Sequence, residues 1–156
     1  MLVLQIRGND IDDDRVTCTG AQVATVLDFI AAVPALAGGD WYAGAVDGLG
    51  ARLTEYEVLE PIPVPALADL LHRIRNIPQL LDGVFALVPR HEIPRLTGDC
   101  FSADGPMEPL IHNALVEIKA FDTSFVEVYT DQPSLITVVQ QRFGGEVRKV
   151  ETQPAT

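Results

Sequence analysis

The feature that most constrains the fold is an alternating pattern between residues 114 and 130. Val116 and Ile118 alternate with Glu117 and Lys119, and a second alternating run follows a short polar linker. A period of two residues is typical of a β-strand, because successive side chains point to opposite faces of a sheet. Two such runs joined by a short polar linker predict a β-hairpin. We therefore expect an antiparallel pair of strands in this part of the chain.

The patterns elsewhere predict three helices and five further strands. Thr19 is placed to cap the first helix, and Thr130 or Asp131 is placed to cap the last, which Gly144 ends. Apolar residues recur at helical spacing in residues 20–33, 65–77 and 133–143. The strand-like runs are residues 2–6, 41–46, 53–59, 83–88 and 146–150.

Hairpins interspersed with helices predict the α+β class. We expect a single domain, with a mainly antiparallel sheet and about three helices packed on one face. With 156 residues, one domain is the expected number. The domain is placed at residues 1–151, followed by a frayed C-terminal tail at 152–156. Residues 89–112 show no sustained period and form the longest predicted loop, a length that is usually functional or mobile.

The chain is strongly acidic, with 22 Asp and Glu against 11 Lys and Arg and a net charge of −11. Nucleic acid and anionic membrane surfaces are disfavoured as partners, because both require clustered basic residues. No apolar stretch approaches the ~20 residues that cross a bilayer, and the apolar N-terminal run resembles a first strand more than a signal peptide. These features predict a soluble, cytoplasmic protein.

The negative charge is unevenly distributed along the sequence. Residues 1–60 hold ten acidic and three basic residues, whereas residues 61–100 hold four of each. If the N-terminal elements share one side of the fold, that side carries most of the negative field. Such a field favours rapid encounter with a cationic partner. The alternative is that the charge serves only to keep the protein soluble.

Asp10, Asp12 and Asp14 have the spacing that begins a calcium-binding EF-hand loop. The match then fails, because Arg15 stands where the loop requires glycine and Ala21 stands where it requires glutamate. We expect a solvated loop or part of a binding face here. No cofactor and no metal site are predicted for the chain.

The two cysteines, Cys18 and Cys100, have neither a zinc-binding nor a redox-motif spacing. We expect both to be buried free thiols, and a disulfide between them is the alternative. One alternative function depends on the 89–112 loop. There, Cys100 with His91 and His112 supplies the residue types of a thiol nucleophile and its base. This alternative is a small enzyme or ligand-binding protein, and it predicts a deep pocket with convergent polar groups.

The favoured function is that of a small acidic binding protein. Within residues 114–143, the sequence VEIKAFDTSFVEVYT followed by PSLITVVQQRF resembles the C-terminal parts of small bacterial immunity-type proteins. The resemblance implies an inhibitor that occludes a basic protein partner such as a toxin, and it assigns no functional residue. A third possibility is an oligomerising structural domain. The residues expected to contact a basic partner are Asp12, Asp13, Asp14, Trp41, Tyr42, Glu55 and Glu57.

Overall fold

A computed structural model describes residues 1–99, 101–103 and 107–150. Within these residues, one sheet of seven strands forms the centre of the molecule, and every neighbouring pair of strands is antiparallel. The strand order across the sheet is β3-β2-β4-β5-β6-β1-β7. The strands are β1 (Leu2–Arg7), β2 (Gly39–Leu49), β3 (Ile62–Pro63), β4 (Gln79–Pro89), β5 (Val116–Phe121), β6 (Phe125–Thr130) and β7 (Glu146–Lys149).

Four α-helices occur in the described part of the chain, and the longest ones follow local signals in the sequence. Thr19 Oγ1 accepts a hydrogen bond from Gln22 N at 3.1 Å, and Gln22 Oε1 accepts one from Thr19 N at 3.0 Å, which is a capping box. Gly144 ends the last helix with a φ of 75°. The helices are α1 (Gly8–Ile11), α2 (Gly20–Ala31), α3 (Leu67–Ile74) and α4 (Pro133–Phe143).

The main hydrophobic core lies between one face of the sheet and the helices α2, α3 and α4. Cross-strand register places Phe85, Ile118, Val128 and Leu4 in one row over β4, β5, β6 and β1, and all four are buried in this core. The apolar sides of the three helices bury against this row and its neighbours. The predicted α+β class, with a mainly antiparallel sheet and three helices on one face, is confirmed.

The opposite face of the sheet is covered by the irregular segment between β4 and β5. We call residues 101–103 and 107–111 of this segment the cover. Its buried residues Phe101 and Ile111 pack with Val84, Ala86 and Val88 of β4 in a second hydrophobic cluster. Strand β4 is therefore apolar on both faces, as expected of a strand that lies between two layers.

Two local predictions are wrong. Residues 53–59 do not form a strand, because Thr54–Tyr56 is a single turn of 3-10 helix that buries Leu53 and Tyr56, three positions apart. The N-cap of α4 is Gln132, not Thr130 or Asp131. Thr130 Oγ1 accepts a hydrogen bond from Gln132 N at 3.1 Å just before the helix begins. The predicted tail at 152–156 and Cys100 lie outside the described residues.

Candidate functional site

One end of the sheet gathers carboxylates from separate parts of the chain. Asp47 of β2 lies directly opposite Asp82 of β4, and the backbone N–H of Asp122, just after β5, donates to Leu81 O at 3.1 Å. The loop after α1 reaches the same end, since Gln79 Nε2 donates to Thr17 O at 3.0 Å. We call this region the acidic end, which comprises Asp12, Asp13, Asp14, Asp47, Glu57, Asp82 and Asp122.

Two clefts flank the β5–β6 turn at the acidic end. The first has a volume of about 630 Å³, and its walls include Asp47, Asp82, Asp122 and the exposed side chain of Leu59. The second has a volume of about 670 Å³ and is lined by Asp12, Asp13 and Asp14 together with Arg7, Arg15 and Phe125. The acidic end is therefore a pair of concave surfaces, each with both carboxylates and apolar atoms.

A β-bulge in β2 shapes the first cleft. The pairing of β2 with β4 shifts register between Gly44 and Asp47, and Ala45 has a φ of 51°. The bulged residue points its backbone N–H away from β4, and Ala45 N donates to Val58 O at 2.8 Å. Bulges bend a strand and re-aim its side chains. This one brings the segment that carries Leu59, which is 66% exposed, to the rim of the cleft.

The carboxylates of the acidic end differ in how far basic side chains neutralise them. Arg52 forms a two-point contact with Glu57, with distances of 2.8 and 2.5 Å. None of the ion pairs within the described residues involves Asp12, Asp13 or Asp14. Asp12 Oδ1 instead accepts hydrogen bonds from Asp14 N at 3.0 Å and Gln22 Nε2 at 2.8 Å, which fix the loop. No ion pair of the described residues therefore ties these loop carboxylates, although Arg7 and Arg15 line the same cleft.

The predicted contact residues occupy three different regions. Asp12, Asp13 and Asp14 line the second cleft and Glu57 lines the first.

Trp41 packs against the main core and Tyr42 against the second hydrophobic cluster, with its hydroxyl donating to Glu92 O at 3.3 Å. Glu55 forms an ion pair with Arg73, and that hydrogen bond lowers the pKa of Glu55. The structure brings the loop carboxylates and Glu57 to one end and leaves Trp41, Tyr42 and Glu55 elsewhere.

Asp47 and Asp122 belong to the acidic end although sequence patterns did not single them out. Asp47 precedes Gly48 near the end of β2, and Asp122 opens the polar linker of the hairpin. A sequence signal for them exists: both are acidic residues at the ends of predicted strands. That signal becomes useful only once the strand order is known.

A second candidate site lies on the face of the sheet opposite the main core, and the cover contacts two of its members, Glu117 and Lys119. Register aligns Gln5 with Glu127 and Glu127 with Lys119, while Tyr129 lies opposite Glu117. All five side chains are buried, and Glu117 and Lys119 are 1% and 0% exposed. We call these five residues the buried polar cluster.

The buried polar cluster is held together by hydrogen bonds and charge. Glu127 accepts from Gln5 Nε2 at 2.8 Å and from the Tyr129 hydroxyl at 2.5 Å. The Lys119 ammonium lies 4.0 Å from Glu117 Oε1 and 4.9 Å from the centre of the Tyr129 ring. Removing charged groups from water costs free energy unless they are paired and hydrogen-bonded.

Burial shifts the protonation equilibria of this cluster. It raises the pKa of Glu117 to about 7, although the nearby Lys119 charge and the backbone N–H groups of Leu110 and Ile111 act in the opposite direction. Burial lowers the pKa of Lys119 and, together with the hydrogen bond to Glu127, raises the pKa of Tyr129. A carboxyl group whose pKa burial raises to about 7 is a candidate for a functional role.

Of the three residues of the enzyme hypothesis, the structure describes His91 and His112, and Cys100 lies outside the described residues. His91 is exposed, and its backbone N–H donates to Asp40 Oδ2 at 3.0 Å, whereas the backbone N–H of His112 donates to Arg95 O at 2.7 Å. Cys18 is a buried free thiol, as predicted, and burial raises its pKa to about 11. The proposed role of Cys100 remains a prediction.

Neither a metal centre nor a membrane-spanning helix is found in the described ranges 1–99, 101–103 and 107–150. Among the described residues, no group of three or more His, Cys, Asp or Glu side chains is arranged to hold a metal ion. No helix in the described ranges has the length and apolar character needed to cross a membrane. Comparisons with protein-family models, with curated proteins and with solved structures found no match to this chain.

Proposed function

We propose that this protein is a binding protein whose acidic end docks a basic segment of another protein. The observation that carries the proposal is that carboxylates from the loop after α1, from β2, from β4 and from the β5–β6 turn meet at one end of the sheet. With a net charge of −11, the chain attracts cations at long range, and concave acidic surfaces focus that attraction. The occlusion of a basic toxin by an immunity-type inhibitor is one form of this function.

The shape of the first cleft favours a lysine or arginine side chain flanked by apolar residues. An exposed ion pair contributes only about 0.2–1 kcal/mol, so charge alone gives speed and orientation more than affinity. Affinity needs a desolvated anchor. The stem of a lysine or arginine can pack along the exposed side chain of Leu59 while its head reaches Asp47 or Asp122, which line the same cleft. We place this function in the cytoplasm, where a free thiol such as Cys18 stays reduced.

Replacing Asp12, Asp13 and Asp14 with asparagine should slow association with a basic partner. Asparagine keeps the side-chain acceptor that the loop uses, so the loop geometry is preserved while three charges are removed. With an immobilised peptide of alternating lysine and leucine as the probe, we expect the association rate at low salt to fall roughly tenfold. The dependence of the rate on salt should also become shallower.

The control is the triple variant D28N, D69N and D131N, which changes the net charge equally and replaces two residues, Asp28 and Asp131, that form exposed ion pairs with Arg75 and the N-terminal ammonium. The three replaced residues are exposed and lie on α2, on α3 and before α4, outside the clefts of the acidic end. We expect the control to slow association by less than about twofold. Equal slowing by the two triple variants would show that net charge, and not its location, drives the encounter, and would contradict the proposal.

A further inference from the structure

The two edges of the described sheet differ in how they can receive a further strand. At one edge lies β3, which consists of only two residues, Ile62 and Pro63. Proline has no backbone N–H, so β3 offers little for another strand to bond to. At the other edge lies β7, whose four residues are all exposed and include no proline. Strand β7 is therefore the edge that another strand can join.

The backbone of β7 directs hydrogen-bonding groups away from the sheet at alternate residues. Val150 N donates to Met1 O at 3.1 Å, in register with the β1–β7 ladder that ends one residue earlier. Along an antiparallel strand, successive residues turn their N–H and C=O to opposite sides. Every second residue counted back from Val150 therefore faces β1, and the N–H and C=O groups of Val147 and Lys149 point to the outer side.

The side chains of β7 divide between the two faces of the sheet. Val147 lies opposite Leu4, which belongs to the main core, so Val147 points to the face that carries the helices. It is 37% exposed there. Glu146 and Arg148 point to the other face, where they form an exposed ion pair with a distance of 3.0 Å. The strand therefore has an apolar residue flanked by two charges of opposite sign.

We propose that two copies of this chain join edge to edge through β7, as an antiparallel pair centred on Val147. A two-fold axis perpendicular to the sheet places Val147 opposite Val147 of the second copy. Both residues have outward backbone groups, so each copy donates one N–H to the other's C=O at the centre of the pair. The two exposed valine side chains also meet on the face that carries the helices.

The same register brings unlike charges together on the opposite face. Glu146 lies opposite Arg148 of the second copy, and Arg148 lies opposite its Glu146. Opposite charges directly across a strand pair stabilise the pair, and like charges destabilise it. Lys149, the remaining charged residue of β7, falls opposite Gly145, which has no side chain. The order of charges in β7 is therefore self-complementary, whereas charges of a single sign on an edge strand repel a second copy.

The interface is small, so the association is weak. A pair of four-residue strands is small beside the roughly 1,200–2,000 Å² that specific, stable complexes bury. The net charge of −11 on each copy also opposes the encounter, but salt at about 0.15 M screens charges more than about 8 Å apart and acts less on pairs in contact. We expect a dissociation constant on the order of 100 μM under these conditions.

Sedimentation equilibrium of the full chain, at concentrations up to about 1 mM, tests the pairing by exchanging charges. The variants E146R and R148E each place like charges across the strand pair, and we expect each to weaken self-association about tenfold or more. An equimolar mixture of the two variants restores unlike charges at both positions. The mixture should therefore form a heterodimer about as tightly as the wild-type protein forms its homodimer.

The control is D69R, which makes the same change of charge as E146R at an exposed residue of α3. Both substitutions reduce the net charge from −11 to −9, so net charge alone predicts tighter association of both variants. Strand pairing instead predicts that D69R associates at least as tightly as the wild-type protein while E146R loses association. A wild-type protein that stays monomeric, an E146R variant that associates as tightly as D69R, or a mixture that associates no better than its components overturns the proposal.

Discussion

Lys119→Met should destabilise the protein by about 3–5 kcal/mol at neutral pH. Methionine fills a similar volume but leaves the buried carboxylates Glu117 and Glu127 without their cation, and it removes the hydrogen bond to Glu108 O. The free energy of unfolding from urea denaturation measures this loss. Removing one partner of a buried charged group is costly because the remaining charges stay desolvated.

The loss should depend on pH in a definite direction. The pKa of Glu117 is already raised to about 7, and removal of the Lys119 charge raises it further. A raised carboxyl pKa gives stability that is fully present below the unfolded value and is lost as the pH rises through the folded value. K119M should therefore be closest to the wild-type protein at about pH 5 and furthest from it at about pH 8.

Lys149→Met provides the matched control, because Lys149 is exposed on the edge strand β7. Its effect should stay within about 0.5 kcal/mol at every pH. If K119M proves as mild as K149M, or if its loss is largest in acid, the buried polar cluster does not have the charge state assigned to it.

Gly20→Ala should destabilise the protein by about 3 kcal/mol or more. A Cβ atom at this position would lie 1.9 Å from Ile74 O and 2.7 Å from Ile77 O, and these are backbone atoms that cannot rotate away. The clash separates the start of α2 from the end of α3 and strains the hydrogen bond from Gly20 N to Ile77 O, which is 3.0 Å long. Thermal and urea denaturation both measure the loss.

Helix propensity alone predicts the opposite sign for this substitution, because alanine is favoured over glycine in a helix by about 1 kcal/mol. Gly98→Ala is the control, since a Cβ there meets no atom within 4 Å. We expect G98A to be neutral or slightly stabilising through its effect on the unfolded chain. A stabilised G20A variant would show that α2 and α3 are not packed as closely as described.

The elements that could be predicted from sequence are those determined by local signals. The hairpin of β5 and β6 combines a period of two residues with a polar turn, and α2 combines an apolar stripe with the Thr19 cap. The wrongly predicted strand at 53–59 shows the limit of that approach. Thr54, Tyr56 and Val58 are good strand formers, but burial of Leu53 and Tyr56 in the main core favours a tight turn there.

The buried polar cluster could not be predicted because its burial depends on an irregular segment whose position on the sheet no sequence pattern indicates. Alternation of Glu117 and Lys119 with apolar residues separates the two faces of β5 but does not say what covers each face. The donors that satisfy Glu117 are backbone groups of the cover, which has no periodicity. The one available hint was the apolar run at residues 83–88, since a strand that is apolar on both faces indicates a sheet covered on both sides.

The acidic end was only partly predictable because its carboxylates come from separate parts of the sequence. Asp12, Asp13 and Asp14 stand out as an acidic loop in the sequence, whereas their position beside Ser124 of the β5–β6 turn depends on which strands are neighbours. Trp41 carries no sequence signal that distinguishes a core residue from an interface residue. In the structure it packs against the main core.

The most direct test of docking at the acidic end is a map of backbone amide chemical shifts, recorded while the lysine and leucine peptide is added to the full chain. We expect the largest changes at residues 12–14, 47–49, 57–59 and 122–124, which surround the two clefts. Changes of similar size spread over β7, α4 and the outer faces of α2 and α3 would contradict it.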